Sequence, residues 1–147
     1  MSIFSKLFKS KKDDDSQSSN SQQSASEINA LNKTLLATAN QLYQNGEYDR
    51  AFQMFKTVSE NGEDIDAFFN LAMCYYRGLG TEKDIQQYLY WLKRAAELGD
   101  DQAMYNIAIV YHDGKYVERD LNEAKKWYTK SAMRGNMRAL AELQKLQ

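Results

Sequence analysis

His112 and Cys74 are the one histidine and the one cysteine of this 147-residue chain. The side chains best suited to proton transfer and to nucleophilic attack therefore occur once each. A histidine titrates near neutral pH and can serve as a general base. His112, however, stands between Tyr111 and Asp113 with no nucleophile pattern beside it, and an activated nucleophile needs its base within hydrogen-bond reach. It is expected as an exposed or half-buried surface side chain. Cys74 lies between Met73 and Tyr75, and the position 36 residues further on is Val110, so the thiol is expected as a small buried hydrophobe. A single cysteine forms no internal disulfide, and this pair of residues builds neither a cysteine-rich zinc site nor a histidine triad. Gly78-Leu79-Gly80 has the glycines of a phosphate loop but no Gly-Lys-Ser/Thr after it, so a helix–helix turn is expected. The acidic run Asp13–Asp15 and the pair Asp100–Asp101 lack the alternating ligand spacing of a calcium loop and read as solvated charge. The expectation is a protein without catalytic residues, metal or cofactor.

The remaining residue types describe a helical scaffold with an aromatic core. The chain is 43% hydrophobic and 27% charged and has no proline, ten tyrosines, six phenylalanines, two tryptophans and six methionines. Lys and Arg number 19 against 20 Asp and Glu, a net charge of −1, so the basic footprint that nucleic-acid binding requires is missing. The order comes from self-similarity. Ala67, Ala103 and Ala139 are spaced by 36, as are Leu71, Ile107 and Leu143. Tyr75 and Tyr111, Gly78 and Gly114, Asp84 and Asp120, Trp91 and Trp127, Ala96 and Ala132, and Gly99 and Gly135 keep the same interval. A period of this length marks stacked supersecondary units. In each unit a first helix (67–77, then 103–113) places apolar residues at i, i+3, i+4 and i+7, as Phe68, Leu71, Ala72 and Tyr75 do. A glycine turn follows, then a second helix (85–98, then 121–134) closed by another glycine. Trp91 and Trp127 recur with the period and are expected to pack in the core.

Residues 13–26 read DDDSQSSNSQQSAS, a stretch too polar to offset its own ordering, and are expected as a disordered linker. Ser24 with Glu27 fits a capping box opening the folded part. The expected organisation is a disordered tail over 1–25 and a repeat domain over 26–147. Its units fall at about 27–63, 64–99 and 100–135, and the segment 136–147 caps the last one. The fold class is all-α: a short α-solenoid of stacked helix–turn–helix repeats with a C-terminal capping helix.

The second unit, A-x-x-x-L-A-x-x-Y-x-x-G-x-G-x-x-x-D from Ala67 to Asp84 followed by W-x-x-x-A-A-x-x-G from Trp91 to Gly99, resembles the Sel1-like repeat. That family is a branch of the tetratricopeptide helical-repeat superfamily. The third unit resembles it through Ala103, Tyr111, Gly114, Asp120, Trp127, Ala132 and Gly135. The first is more similar to a tetratricopeptide repeat, through Gly46, Tyr48, Ala51 and Phe55. Two positions depart from the pattern: Tyr88 stands where the family has a small residue, Ala124 in the next unit, and Tyr116 stands where the second turn glycine belongs. The secreted, cysteine-rich members carry a cysteine pair in each repeat, which this chain does not.

The resemblance implies a non-catalytic adaptor or scaffold that binds another protein, as a peptide or helix segment, on the concave face lined by first helices. Carried onto this sequence, that face holds Asn40 and Tyr43, then Phe69, Met73 and Tyr76, then Tyr105, Ile109 and His112. Two alternatives stay open: a β-lactam-binding or hydrolysing protein, and a spacer weakly tethered to a membrane. The second rests on MSIFSKLFKSKK, where Ile3, Phe4, Leu7 and Phe8 form one helical face among four lysines. Such a segment is too short to span a bilayer and could lie on an anionic surface, dock on a protein, or have no specific role. A cytoplasmic location, peripheral at the inner membrane face if residues 1–12 bind lipid, is expected.

Overall fold

The computed structural model describes the backbone of residues 3–147 and the side chains of residues 20–147. Among the described residues seven helices follow one another: α1 (Ile3–Gln44), α2 (Tyr48–Asn61), α3 (Ile65–Arg77), α4 (Ile85–Glu97), α5 (Asp101–Asp113), α6 (Leu121–Met133) and α7 (Met137–Lys145). Among the described residues there is no strand. Consecutive helices pack on one another, most extensively as the pairs α1–α2, α3–α4 and α5–α6, with α7 lying against α6. This is the all-α stack of helix pairs that the 36-residue interval implies.

The starts of α3 to α7 are written in the sequence by a short polar side chain; α2 begins after Glu47 without a side-chain cap. Asp64, Asp84, Asp100, Asp120 and Asn136 precede α3 to α7 in extended backbone. Each accepts a hydrogen bond from the amide three residues ahead, at 2.8–3.0 Å. An unpaired amide at a helix start is thereby satisfied, a contribution of about 1 kcal/mol per cap. Asp100 is therefore a structural cap and not loose solvated charge, and Asp101 accepts from the Asn136 side-chain amide at 2.8 Å. Burial raises the Asp100 pKa above the ordinary aspartate value, partly offset by the bond from the Ala103 amide.

The turns repeat as well. Gly78 and Gly114 end α3 and α5 in the left-handed conformation. The chain then returns so that the Asp84 and Asp120 amides donate to the Tyr75 and Tyr111 carbonyls, each at 3.0 Å. Gly80 also has positive φ, and a Cβ built there would lie 2.3 Å from the Tyr48 carbonyl oxygen. That close approach locks the second unit's turn onto α2. Among the described residues none other than glycine has positive φ, so Tyr116 takes a different backbone from Gly80, and the third turn departs from the second at that point.

The core runs through the stack. Phe55, Phe68, Leu71, Leu92 and Ile107 are fully enclosed, and Trp91 is buried with its ring 5.4 Å from Phe68. Cys74 is buried, which pushes its thiol pKa up to about 11, as a packing residue should behave. A second cluster, built on Ala108, Ala124, Tyr128 and Ala139, is covered by Leu143 and Leu146 of the last segment. From Asn20 to Leu31 every side chain is exposed. Ser24 does not open a helix: it sits inside α1, and its hydroxyl donates to the Ser21 carbonyl at 2.9 Å. A serine inside a continuing helix has no unpaired amide ahead of it to cap. Ile3, Phe4, Leu7 and Phe8, with half of the polar stretch 13–26, lie outside the residues whose side chains are described.

Candidate functional site

The first helices α1, α3 and α5 stand side by side and leave two adjoining cavities between them. One, of about 270 Å³, is lined by Asn40 and Tyr43 of α1, Phe55 of α2, Phe69, Asn70, Met73 and Arg77 of α3, and Asn106 of α5. The other, of about 400 Å³, is lined by Met73 and Tyr76 of α3, Tyr88 of α4, Asn106, Ile109, Val110 and Asp113 of α5, and Lys115 and Tyr116 of the following turn. Met73 and Asn106 belong to both walls, so the cavities form one trough across three helices.

Helical spacing explains the lining. Phe69, Met73 and Tyr76 fall at i, i+4 and i+7 on the side of α3 turned from Phe68, Leu71 and Ala72, which are enclosed. On α5 the lining residues Asn106, Ile109 and Asp113 fall at i, i+3 and i+7, so only Ile109 holds the repeat register of the α3 set. Polar contacts fix the floor of the smaller cavity. The Asn70 amide donates to the Asn40 carbonyl oxygen at 3.0 Å, and the Arg77 guanidinium donates to the Tyr43 hydroxyl at 2.9 Å.

The larger cavity is shaped by the two positions that depart from the repeat pattern. Tyr88 is buried with its ring 4.9 Å from Tyr76, and burial raises its hydroxyl pKa to about 12. At the matching place in the next unit Ala124 leaves no such side chain. Tyr116 turns its ring edge to Tyr76 at 6.2 Å. The Lys83 ammonium donates to the Tyr116 hydroxyl at 3.0 Å and lies 5.2 Å from the centre of the Tyr76 ring. Lys115 lies 5.0 Å from the Tyr116 ring centre. The bonds from Lys83 and Lys115 lower the Tyr116 pKa. Among the described residues neither lysine, nor Arg77, is in an ion pair. Asp113 places a carboxylate on the same wall.

Six of the eight positions expected on the concave face therefore line the trough: Asn40, Tyr43, Phe69, Met73, Tyr76 and Ile109. Tyr105 and His112 line neither cavity. The Tyr105 ring is 5.9 Å from Tyr128, under the Arg138 guanidinium at 5.1 Å, and the two side chains join α5 to α6 and α7. His112 Nδ1 is 3.0 Å from the Tyr128 hydroxyl. This half-buried histidine is held by a tyrosine, with no nucleophile beside it. Asn70, Arg77, Lys83, Tyr88, Asn106 and Lys115 were not legible as site residues one by one. The departures at Tyr88 and Tyr116 were the visible signal.

A further cavity, of about 430 Å³, lies at the turn end between Gly46–Arg50 and Gly78–Gly80. Its walls are turn backbone, Tyr48, Leu79 and the Arg50–Glu47 ion pair at 2.6 Å. Among the described residues no group of three or more His, Cys, Asp or Glu is placed to hold a metal ion. No described helix is long and apolar enough to cross a membrane.

Comparison with known proteins agrees with this architecture. The Sel1 repeat family model matches residues 65–100 and again 101–136. A solved Sel1 repeat protein from Oxalobacter formigenes is 28% identical with a TM-score of 0.67, over 76% of this chain and 47% of that one. The protective antigen c5321 of uropathogenic Escherichia coli, described as displaying an SLR fold, is 28% identical with a TM-score of 0.70, over 78% and 25% of the two chains. Cysteine-rich protein B of Helicobacter pylori shares the fold at 21% identity and a TM-score of 0.59, over 64% and 70%. This chain thus spans about half and a quarter of the first two proteins. No curated protein sequence matches it. Residues 65–136 thus form two consecutive Sel1 repeats, set in a helical stack similar to that of these solved structures.

Proposed function

We propose that this chain is a non-catalytic interaction module, of adaptor or scaffold type, that takes a peptide or helix segment of another protein along the face formed by α1, α3 and α5. Sel1 repeat proteins are typically protein-interaction modules, and their fold is generally a non-catalytic scaffold. The observation that carries the reading is the cavity of about 400 Å³ between α3, α4 and α5. It offers an apolar side chain a socket of Met73, Tyr76, Tyr88 and Ile109, with tyrosine rings as large rigid contact surfaces. Lys83 and Lys115 at its rim, free of ion pairs, favour a carboxylate next to that side chain. Asp113 favours the peptide amides. The lysine-rich residues 1–12 of the chain itself have the wrong charge for this rim.

The test is a peptide selection. A displayed library panned on the intact chain should yield sequences with one large apolar residue beside one or two acidic residues. Tyr76→Ala should weaken the selected peptides by about 30-fold or more, the loss of one anchor contact worth 2 kcal/mol. Lys83→Glu should weaken them and lower the salt dependence that remains. Selected peptides that bind both variants as well as the parent chain would place the partner surface outside the trough.

A further inference from the structure

The two ends of the stack differ in a way the trough does not use. At the carboxy-terminal end Met133 of α6 is 83% exposed, and Met137 and Leu140 of α7 are 71% and 37% exposed. The repeat register gives these numbers a meaning. Leu140 stands 36 residues after Met104, which occupies the same place on α5 and is only 6% exposed. A leucine or methionine at this register position is a core residue when further helix lies over it, and on α7 it faces outward. At the amino-terminal end α1 extends beyond its packing partner. Ile28 and Leu31 are 48% and 58% exposed, and with Leu35 they fall at i, i+3 and i+7. That spacing is one apolar stripe on a helix. Each end thus carries a short unpartnered apolar surface, and each is helical.

Charge distinguishes the ends. Over residues 20–64 there are six acidic and three basic side chains: Glu27, Glu47, Asp49, Glu60, Glu63 and Asp64 against Lys33, Arg50 and Lys56. Over residues 121–147 the balance reverses, with six basic side chains (Lys125, Lys126, Lys130, Arg134, Arg138, Lys145) against Glu123 and Glu142. The whole chain, at −1, hides this polarity. Pairing either end with its own kind sets like charges against each other. Pairing opposite ends joins an acidic apolar stripe to a basic apolar one.

We infer that the occupant of these surfaces is a second copy of the chain, associating head to tail. The Ile28–Leu31–Leu35 stripe of one copy lies on Met133, Met137 and Leu140 of the next, where a further helix continues the stack. Glu27 of the first copy comes near Arg134 of the second. Arg138, already bonded to Gln102 and stacked on Tyr105, holds the floor of the contact. Such a contact is heterologous. Each copy keeps one end free, so the assembly grows with concentration unless the rotation between copies closes a ring. The small apolar area on each side makes the association weak and reversible, and the charge contribution makes it sensitive to salt. The inference is independent of the trough, which lies on a different face of the stack.

Sedimentation or light scattering on the full chain reads it. At low salt the weight-average mass should exceed 17.0 kDa and rise with concentration, and 0.5 M salt should reverse the rise. Two double variants decide the geometry. Ile28→Lys with Leu31→Lys blocks the amino-terminal end, and Met133→Glu with Met137→Glu blocks the carboxy-terminal end. All four positions are at least 48% exposed, so helicity and melting should be kept. Each variant alone should stay monomeric, and an equimolar mixture should form a dimer and nothing larger. If a double variant fails to fold, Met137→Glu alone replaces it at the carboxy-terminal end and Leu31→Lys alone at the other. A parent chain that stays at monomer mass to about 1 mM overturns the proposal. So does either variant that dimerises by itself, because that contact joins like ends, and so does a mixture that stays monomeric.

Discussion

Asp100 does two things at once, and they oppose each other. Its carboxylate caps α5 by accepting from the Ala103 amide at 2.8 Å, while burial disfavours its charge and raises its pKa. Asp100→Ala should lower stability by about 1 kcal/mol, roughly 3–6 °C in melting temperature for a domain of this size. Asp100→Asn keeps the cap acceptor and removes the charge. A carboxyl with a raised folded pKa stabilises the fold relative to its ionised form at low pH and loses that contribution as pH rises through the folded pKa. The Asn variant should therefore match or exceed the parent at pH 7, and its advantage should vanish as pH falls through the carboxylate range. Urea unfolding at the two pH values checks both the size and the sign. At this scale the sequence was only partly legible. Asp84 and Asp120 could be seen as a repeated pair, but Asp100 beside Asp101 looks like any exposed acidic pair until the helix start is placed. Tyr88 and Tyr116 stood out as misfits to the repeat. Their consequence, a cavity wall with two lysines at the rim, depends on how side chains from three elements converge, which spacing along one helix does not encode.

The helices and turns were far more legible, because a period of 36 repeats every decision. Gly78 with Gly114 and Asp84 with Asp120 mark the ends of the same turn, and both turns close through the same amide-to-carbonyl bond at 3.0 Å. Two glycines separate conformational cost from close packing. Gly46 has positive φ and open space around it, whereas a Cβ on Gly80 would meet the Tyr48 carbonyl. Gly46→Ala should cost about 1–2 kcal/mol, the price of a left-handed non-glycine residue. Gly80→Ala should cost more, because the turn must also lift away from α2, and the difference would appear as lost exchange protection at the α2–turn contact. Equal melting temperatures for the two variants would show that the turn yields without strain. The amino-terminal helix was the element read least well. Ser24 and Glu27 match a capping box in sequence, yet both lie inside α1, so local pattern lost to a continuing helix.

The stack as a whole should melt as one unit whose last helix protects the layer beneath it. Deleting residues 137–147 removes Ala139, Leu143 and Leu146 from Tyr128, Ala108 and Ala124. The loss of apolar cover should cost on the order of 2–4 kcal/mol and lower the melting temperature by roughly 6–24 °C; an unchanged transition would remove α7 from the structural account. Tyr105 and His112, expected in the trough from their register, stabilise this same layer through Tyr128. Alanine at either should therefore lower stability more than it lowers peptide capture. The most direct test of the central claim is chemical-shift mapping on the labelled full chain with the tightest peptide from the selection. A partner held in the trough shifts the Met73 and Ile109 methyl signals and the amides of Tyr76, Asn106 and Lys115, and leaves the outer faces of α2, α4 and α6 in place. Shifts confined to those outer faces, with Met73 and Ile109 unmoved, would contradict it.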